Sequence, residues 1–269
     1  DGLHVEVLEH LIREVHPWHD MLALWELWRY FRDGRFDVVH THASKAGILA
    51  RVAATWAGVP AIVHTQHGIV GHRQLHRAAQ RLFDTAERFA SGYCGQLLAV
   101  SQSTIDSCVA QGIAPAKRYK VVHSGILMDR FRHAHDVTGI RAGLGIADAA
   151  PVIGKIARIC ELKGFDFLLE VAPAIIETFP EVRFLIVGDG ALRPWFERRL
   201  CELSIQQNFV FTGVVSPGRI PELLAAMDVV VHLSVREGLP RSAVEAHASG
   251  TPVVGFALDG TPEVVQHGT

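Results

Sequence analysis

The 269-residue sequence predicts an α/β protein built from two doubly wound, parallel-sheet units. Three observations lead there. Short β-branched runs alternate with stretches long enough for helices almost throughout. The runs are continuously apolar, as strands covered on both faces are, rather than apolar on alternate residues. A polar, then Gly/Ala-rich stretch from Arg130 to Pro151 interrupts the alternation and divides the chain in two.

Taken in order, MLALWELWRYF places Leu24, Trp25, Trp28 and Phe31 at helical spacings, which predicts a helix packed on a sheet. Strands are then expected at 37–41, 61–65, 97–101 and 120–123. The stretch 136–150 reads as a linker between a first domain, 1–135, and a second, 151–269. Strands at 152–156, 183–187, 209–212, 229–233 and 252–256 complete the second domain. Two complete doubly wound units need about 300 residues or more. Without a starting Met, the sequence therefore reads as clipped at both ends.

Composition excludes several classes. With 26 basic and 28 acidic residues the formal charge is −2, which suits neither a nucleic-acid binder nor a disordered chain. No apolar run reaches the roughly 18 residues of a membrane span, and DGLHVEVLEH lacks the basic head and apolar stretch of a signal peptide. Cys94, Cys108, Cys160 and Cys201 are scattered, with no CxxC pair. Free thiols in a reducing, cytoplasmic setting are expected. Thirteen of the 16 histidines precede residue 136, in a half with 15 basic and 12 acidic residues. That half becomes more positive as pH falls through about 6.5; chance composition accounts for the bias, and a mildly basic face for an anionic membrane surface is the alternative reading.

Chemistry concentrates in VVVHLSVREGLPRSAVEAHASGTPVV. A strand ends near Leu233 and a loop carries Glu237 and Gly238. A helix is expected to begin near Pro240, since proline suits the first helical position. Free amides and the positive end of the helix dipole would then face the edge of the sheet where α/β ligands sit. Arg158 and Lys163 flank another strand-to-helix turn, and Gly188 and Gly190 permit a tight turn in VGDG. In the first half, His67 ends a strand–loop unit. His72 and His76, at i and i+4, have metal-binding spacing but no third ligand in reach. The sequence holds no D-x-D triplet of the metal–diphosphate kind.

Glu237 and Glu245, spaced E-x7-E ahead of SGTPVV, resemble the signature of the retaining glycosyltransferases of family four. IGKIARICELKGFDFLLEVAP, FLIVGDGALR, FVFTGVV and DGTPEVV resemble that family's donor-side segments in order. DVVHTHASKAGILARVAA, VVHTQHG, LLAVSQST and KVVHSGI resemble its first-domain segments. The resemblance implies a GT-B fold: two Rossmann-like domains with an active site in the cleft between them. It implies that Arg158 and Lys163 bind the donor diphosphate and that Glu245 accepts from the ribose hydroxyls. Glu237, with Gly238 and Leu239, would hold the donor sugar; Gly188 would line the turn, and backbone at Val214 would meet the base. His67 would face the reacting carbon, so His67 and Glu237 are the expected catalytic pair. No cofactor and no metal are implied. The donor would be a UDP-sugar, with GDP-sugar next, and the acceptor a carbohydrate or lipid-linked saccharide at the cytoplasmic face of a membrane. EGLP, where many members read EGFG, removes one backbone donor at Pro240, and Ser124-Gly125 stands where asparagine-glycine is frequent. The family's opening strand and closing helix have no counterpart. A GT-B-like sugar-nucleotide epimerase and a non-catalytic nucleotide-sugar-binding fragment are the alternatives.

Overall fold

The computed structural model describes residue 2, residues 4–68 and residues 77–268. The chain divides into two units, Asp1–His123 and Ser124–Thr269. The first carries β1 (Val38–His42), β2 (Ala61–Gln66), β3 (Gln96–Ala99) and β4 (Tyr119–Val121), in spatial order β1-β2-β3-β4, every neighbouring pair parallel. Its helices are α1 (Pro17–Gly34), α2 (Ser44–Trp56), α3 (Arg77–Ser91) and α4 (Gln102–Ala110). In α1, Pro17 occupies the first turn and His16 caps it, its side chain accepting from the His19 amide. Leu27 and Phe31 are buried, and Leu24 and Trp28 pack against them with Val39 and Ile62. Trp25 departs from the expectation: 100° of helix per residue turns it off that face, and it is 52% exposed.

The second unit carries α5 (Val137–Gly143), β5 (Val152–Ile156), α6 (Phe165–Thr178), β6 (Arg183–Val187), α7 (Arg193–Glu202) and β7 (Phe209–Gly213). It continues through α8 (Ile220–Ala225), β8 (Val229–His232), α9 (Arg241–Ala248) and β9 (Val253–Gly255). Its sheet order is β7-β6-β5-β8-β9, all parallel. From β5 the chain winds outward to β6 and β7, then returns to build β8 and β9 on the other side. The order reverses between β5 and β8, and the crevice outside their carboxyl ends is where such sheets take ligands.

Residues 136–150 are not a linker. Asp136 caps α5 through the Gly139 amide. Arg141 donates to Asp228 at 3.0 Å and to the Ala226 carbonyl at 3.1 Å, and Asp228 accepts from the Val152 amide at 2.7 Å. Ile146 and Ala150 enter the core beside Val152, Leu185 and Leu223. Composition alone missed this because a short, polar helix can be anchored by one buried guanidinium. The division of the chain falls at His123–Ser124 instead.

Candidate donor site at the sheet switch point

Two loops meet at the carboxyl ends of β5 and β8, and backbone geometry fixes their approach. Gly164, in the left-handed region at φ 68°, ends the loop after β5; a Cβ there would lie 2.0 Å from the Leu233 carbonyl oxygen. Only glycine fits. The Val235 amide donates to Leu162 O at 3.0 Å, which stitches the two loops together. Across β6, a Cβ on Gly188 (φ 130°) would come within 2.2 Å of Ala157 O. The VGDG turn is therefore pressed against the same β5 loop.

This packing brings Lys163 onto Glu237, and the two form an ion pair between partly buried side chains. The Glu237 backbone is held from the DGTPE loop: its amide donates to Asp259 Oδ2 at 3.1 Å, and its carbonyl accepts from the Gly260 amide at 3.4 Å. Gly238 and Leu239 are buried beside it. Pro240 caps α9 with extended backbone (ψ 90°) rather than occupying its first turn, so the helix starts one residue later than the sequence suggests. Glu245 lies along α9, where it accepts from Arg241 at 3.3 Å. Its burial raises the carboxyl pKa above the ordinary value, against the Arg241 charge. Arg158 is exposed, with no ion pair among the described residues. Val214, past the end of β7, is 83% exposed.

Two residues that the sequence reading passed over sit under this pair. Lys155, on β5, is buried, with its ammonium 5.0 Å from the Phe165 ring centroid. Desolvation, reinforced by Lys163 and opposed by Asp166 and Glu237, lowers its pKa to about 7. His232, the last residue of β8, is also buried, and its Nε2 lies 3.9 Å from Glu237 Oε1. Burial lowers its pKa to about 4, opposed by Glu237 and reinforced by Lys155 and Lys163. The available signal was a lone polar residue in each of two otherwise apolar strands, VIGKI and VVVH.

In the first unit, His67 follows β2 and its Nε2 lies 2.8 Å from Nδ1 of His42, the last residue of β1. His40 lies against His42 with tilted rings, centroids 4.2 Å apart, and its Nε2 reaches Thr65 Oγ1 at 2.7 Å. Desolvation lowers the pKa of His67, and His40 reinforces it. The same holds for His42, with His67 adding to the effect. Both rings are neutral at pH 7, so one proton links them. His40 and His42 were legible as an i, i+2 pair on one strand face. The His72/His76 pair lies outside the described residues. Among the described residues, no three His, Cys, Asp or Glu side chains gather as a metal cage.

Two parallel α/β sheets of this winding define the GT-B fold. The chain superposes on Anabaena HepE in complex with UDP-glucose with a TM-score of 0.79, at 24% identity over 94% of this chain and 68% of that one. Sucrose-phosphate synthase from Thermosynechococcus elongatus gives 0.76, at 18% identity over 91% of this chain and 63% of that one. Residues 1–125 match the glycosyl transferase 4-like domain, and residues 150–269 match the glycosyl transferases group 1 family. The two halves of the chain thus each match a glycosyltransferase family model, and together they support a glycosyltransferase of family-four type. It is 28% identical to the Escherichia coli UDP-Gal:alpha-D-GlcNAc-diphosphoundecaprenol alpha-1,3-galactosyltransferase, over 96% of this chain and 67% of that protein. It is 29% identical to D-inositol 3-phosphate glycosyltransferase of Streptomyces scabiei, over 90% of this chain and 57% of that protein. It spans between about half and two thirds of the length of such relatives. No helix among the described residues is long and apolar enough to cross a membrane.

Proposed function

We propose that this chain carries the donor site of a retaining, metal-independent glycosyltransferase. It takes a nucleoside diphosphate sugar, UDP-linked first and GDP-linked next, and passes a hexose to a hydroxyl of a carbohydrate or lipid-linked saccharide. The observation that carries the reading is the meeting of Lys163 with Glu237 at the sheet switch point. A cation for the diphosphate and an acceptor-only carboxylate for sugar hydroxyls lie side by side there. The galactosyltransferase named above uses a UDP-sugar and a diphosphoundecaprenol acceptor, and HepE binds UDP-glucose. Both support the choice of donor and acceptor class.

In this reading the bond from the anomeric carbon to the β-phosphate oxygen breaks as the acceptor oxygen bonds to the same face of that carbon. The acceptor proton passes to a leaving phosphate oxygen. Charge grows on the diphosphate in the transition state, where Lys163 and the exposed Arg158 stabilise it without a metal. Glu245 takes the ribose hydroxyls, Val214 backbone meets the base beyond the Gly188 turn, and Glu237 with Gly238 and Leu239 sets the sugar. His67, neutral and joined to His42, faces the acceptor side. On α1, Trp18, Met21 and Trp25 form an exposed stripe; indoles favour membrane interfaces, which supports peripheral attachment at the cytoplasmic face.

Calorimetry with UDP and GDP in the presence of a chelator is the test. Binding that appears only with magnesium or manganese defeats the metal-free site, and no binding at all defeats the reading. Glu245→Gln should weaken UDP about tenfold or more, the loss of one charge-assisted hydrogen bond. Glu237→Gln should leave UDP affinity nearly intact and lower sugar transfer. Equal behaviour of the two would merge roles that this reading keeps apart.

A further inference from the structure

The Lys163–Glu237 ion pair occupies both groups that the donor must use. A diphosphate competes with Glu237 for Lys163, and a carboxylate that loses its cation in a partly buried pocket needs a new donor. The structure holds one in waiting. His232 Nε2 is buried, has no hydrogen-bond partner among the described residues, and faces Glu237 Oε1 at 3.9 Å. That is just beyond hydrogen-bond reach.

The ring is set up to donate. The groups that bear on it electrostatically are Glu237, Lys155 and Lys163, and burial, opposed by Glu237 and reinforced by the two lysines, keeps it neutral at pH 7. A neutral imidazole carries its one proton on either nitrogen, and the hydrogen bond at the other nitrogen decides which. Ser242, in the first turn of α9, places its hydroxyl 3.5 Å from Nδ1, at the outer limit for a hydrogen bond. When Ser242 donates there, the proton sits on Nε2 and points at Glu237. The ring itself is fixed by β8 and by burial, so the carboxylate does the moving.

We propose that His232 is the positioning residue of the donor site: once a diphosphate draws Lys163 away, the His232 Nε2–H takes over the Glu237 carboxylate and leaves its other oxygen aimed at the sugar. The inference rests on the donor-site reading above. It adds that the ion pair seen here is a resting arrangement, exchanged for a His232–Glu237 hydrogen bond when the donor binds.

The test uses the full chain labelled with 15N-histidine, with UDP and GDP as probes. His232 resonances are identified by their loss in His232→Gln, or from their contact with Ser242 protons should that variant not fold. The free protein should carry the His232 proton on Nε2. A binding nucleoside diphosphate should shift that proton downfield as it gains a carboxylate acceptor, and Glu237→Gln should abolish the shift while the nucleotide still binds. His232→Gln, whose amide nitrogen matches Nε2, should keep UDP-sugar turnover within about fivefold of the parent, whereas His232→Asn, whose nitrogen matches Nδ1, should lose tenfold or more in kcat with UDP affinity unchanged. A nucleotide that binds while the His232 proton stays still, or a proton on Nδ1 in the complex, overturns this inference alone. Failure of both UDP and GDP to bind overturns the donor-site reading and this inference with it.

Discussion

The two units handle ionisable groups in opposite ways. The second packs apolar clusters of twelve and ten buried residues and gathers Lys155, Lys163, His232 and Glu237 at one sheet edge. Among its described residues, the first has apolar clusters of eight and six and buries an ion pair outright. Arg51 on α2 meets Glu87 on α3 at 2.7 Å, with neither side chain exposed. The Arg51 Nε donates to the Gly47 carbonyl and Gln66 reaches Glu87 at 3.5 Å, while His64 on β2 bonds Thr41 at 2.8 Å. In the second unit, apart from the Arg141–Asp228 anchor of α5, charge gathers at the candidate site. In the first it holds helices together, so that unit's stability depends on charges staying matched.

Arg51→Met should break this contrast most forcefully. It strands Glu87 without its cation, and losing one partner of a buried pair costs about 3–5 kcal/mol. Amide exchange should quicken in β2 and β3 and stay unchanged in β5 and β6. Loss of protection in both sheets alike would show that the units do not hold their stability separately.

The reverse substitution belongs to the second unit. Lys155 titrates near 7 when folded and at its ordinary 10.5 when unfolded. As pH falls from 10.5 to 7, the unfolded chain takes a proton that the folded one refuses, so this lysine removes stability on the way down. Lys155→Met should therefore stabilise the second unit at pH 7, by about 1–4 kcal/mol as other buried-charge replacements do. Denaturant melts at pH 7 and pH 10 should show the gain shrinking at the higher pH; a loss of stability at pH 7 would mean that Lys155 is needed for packing.

Acid sharpens the comparison from the other side. Desolvation, with Arg51 and the neighbouring histidines adding to it, lowers the His64 pKa to about 3. Its contribution is complete above the unfolded value of 6.5 and is lost as pH falls toward 3. By pH 5 the first unit should have given up about 2 kcal/mol on this account. His64→Gln should flatten the pH dependence of β2 exchange between pH 7 and 5, and an unchanged slope would point to another group.

The smallest effect is expected at the exposed stripe of α1. Trp18→Ser and Trp25→Ser should change the stability of the first unit by less than about 0.5 kcal/mol. The same substitutions should reduce sedimentation with anionic vesicles. A large drop in melting temperature would place these indoles in packing that the fold does not show.

The nine strands among the described residues stand within two residues of where their continuous apolar runs place them, because a strand buried on both faces must be apolar along its own length. The Gly188 turn and the loop position of Glu237 were also readable locally, whereas the demand for glycine at 164 shows only in the approach of Leu233. The sequence alone also carried the family, through short phrases in a fixed order. Strand order and loop approach were decided only in three dimensions. Lys163 and Glu237 are 74 residues apart and meet because the sheet reverses between β5 and β8. Lys155 and His232 owe their depressed pKa values first to burial in the folded sheet, with the nearby charges adding to or opposing it, and Arg51 meets Glu87 through the packing of α2 on α3. Residues 136–150 joined the second unit because Arg141 found Asp228, 87 positions away. Periodicity reports the neighbours along the chain, whereas burial, charge and partnership depend on which elements the folded sheet sets side by side.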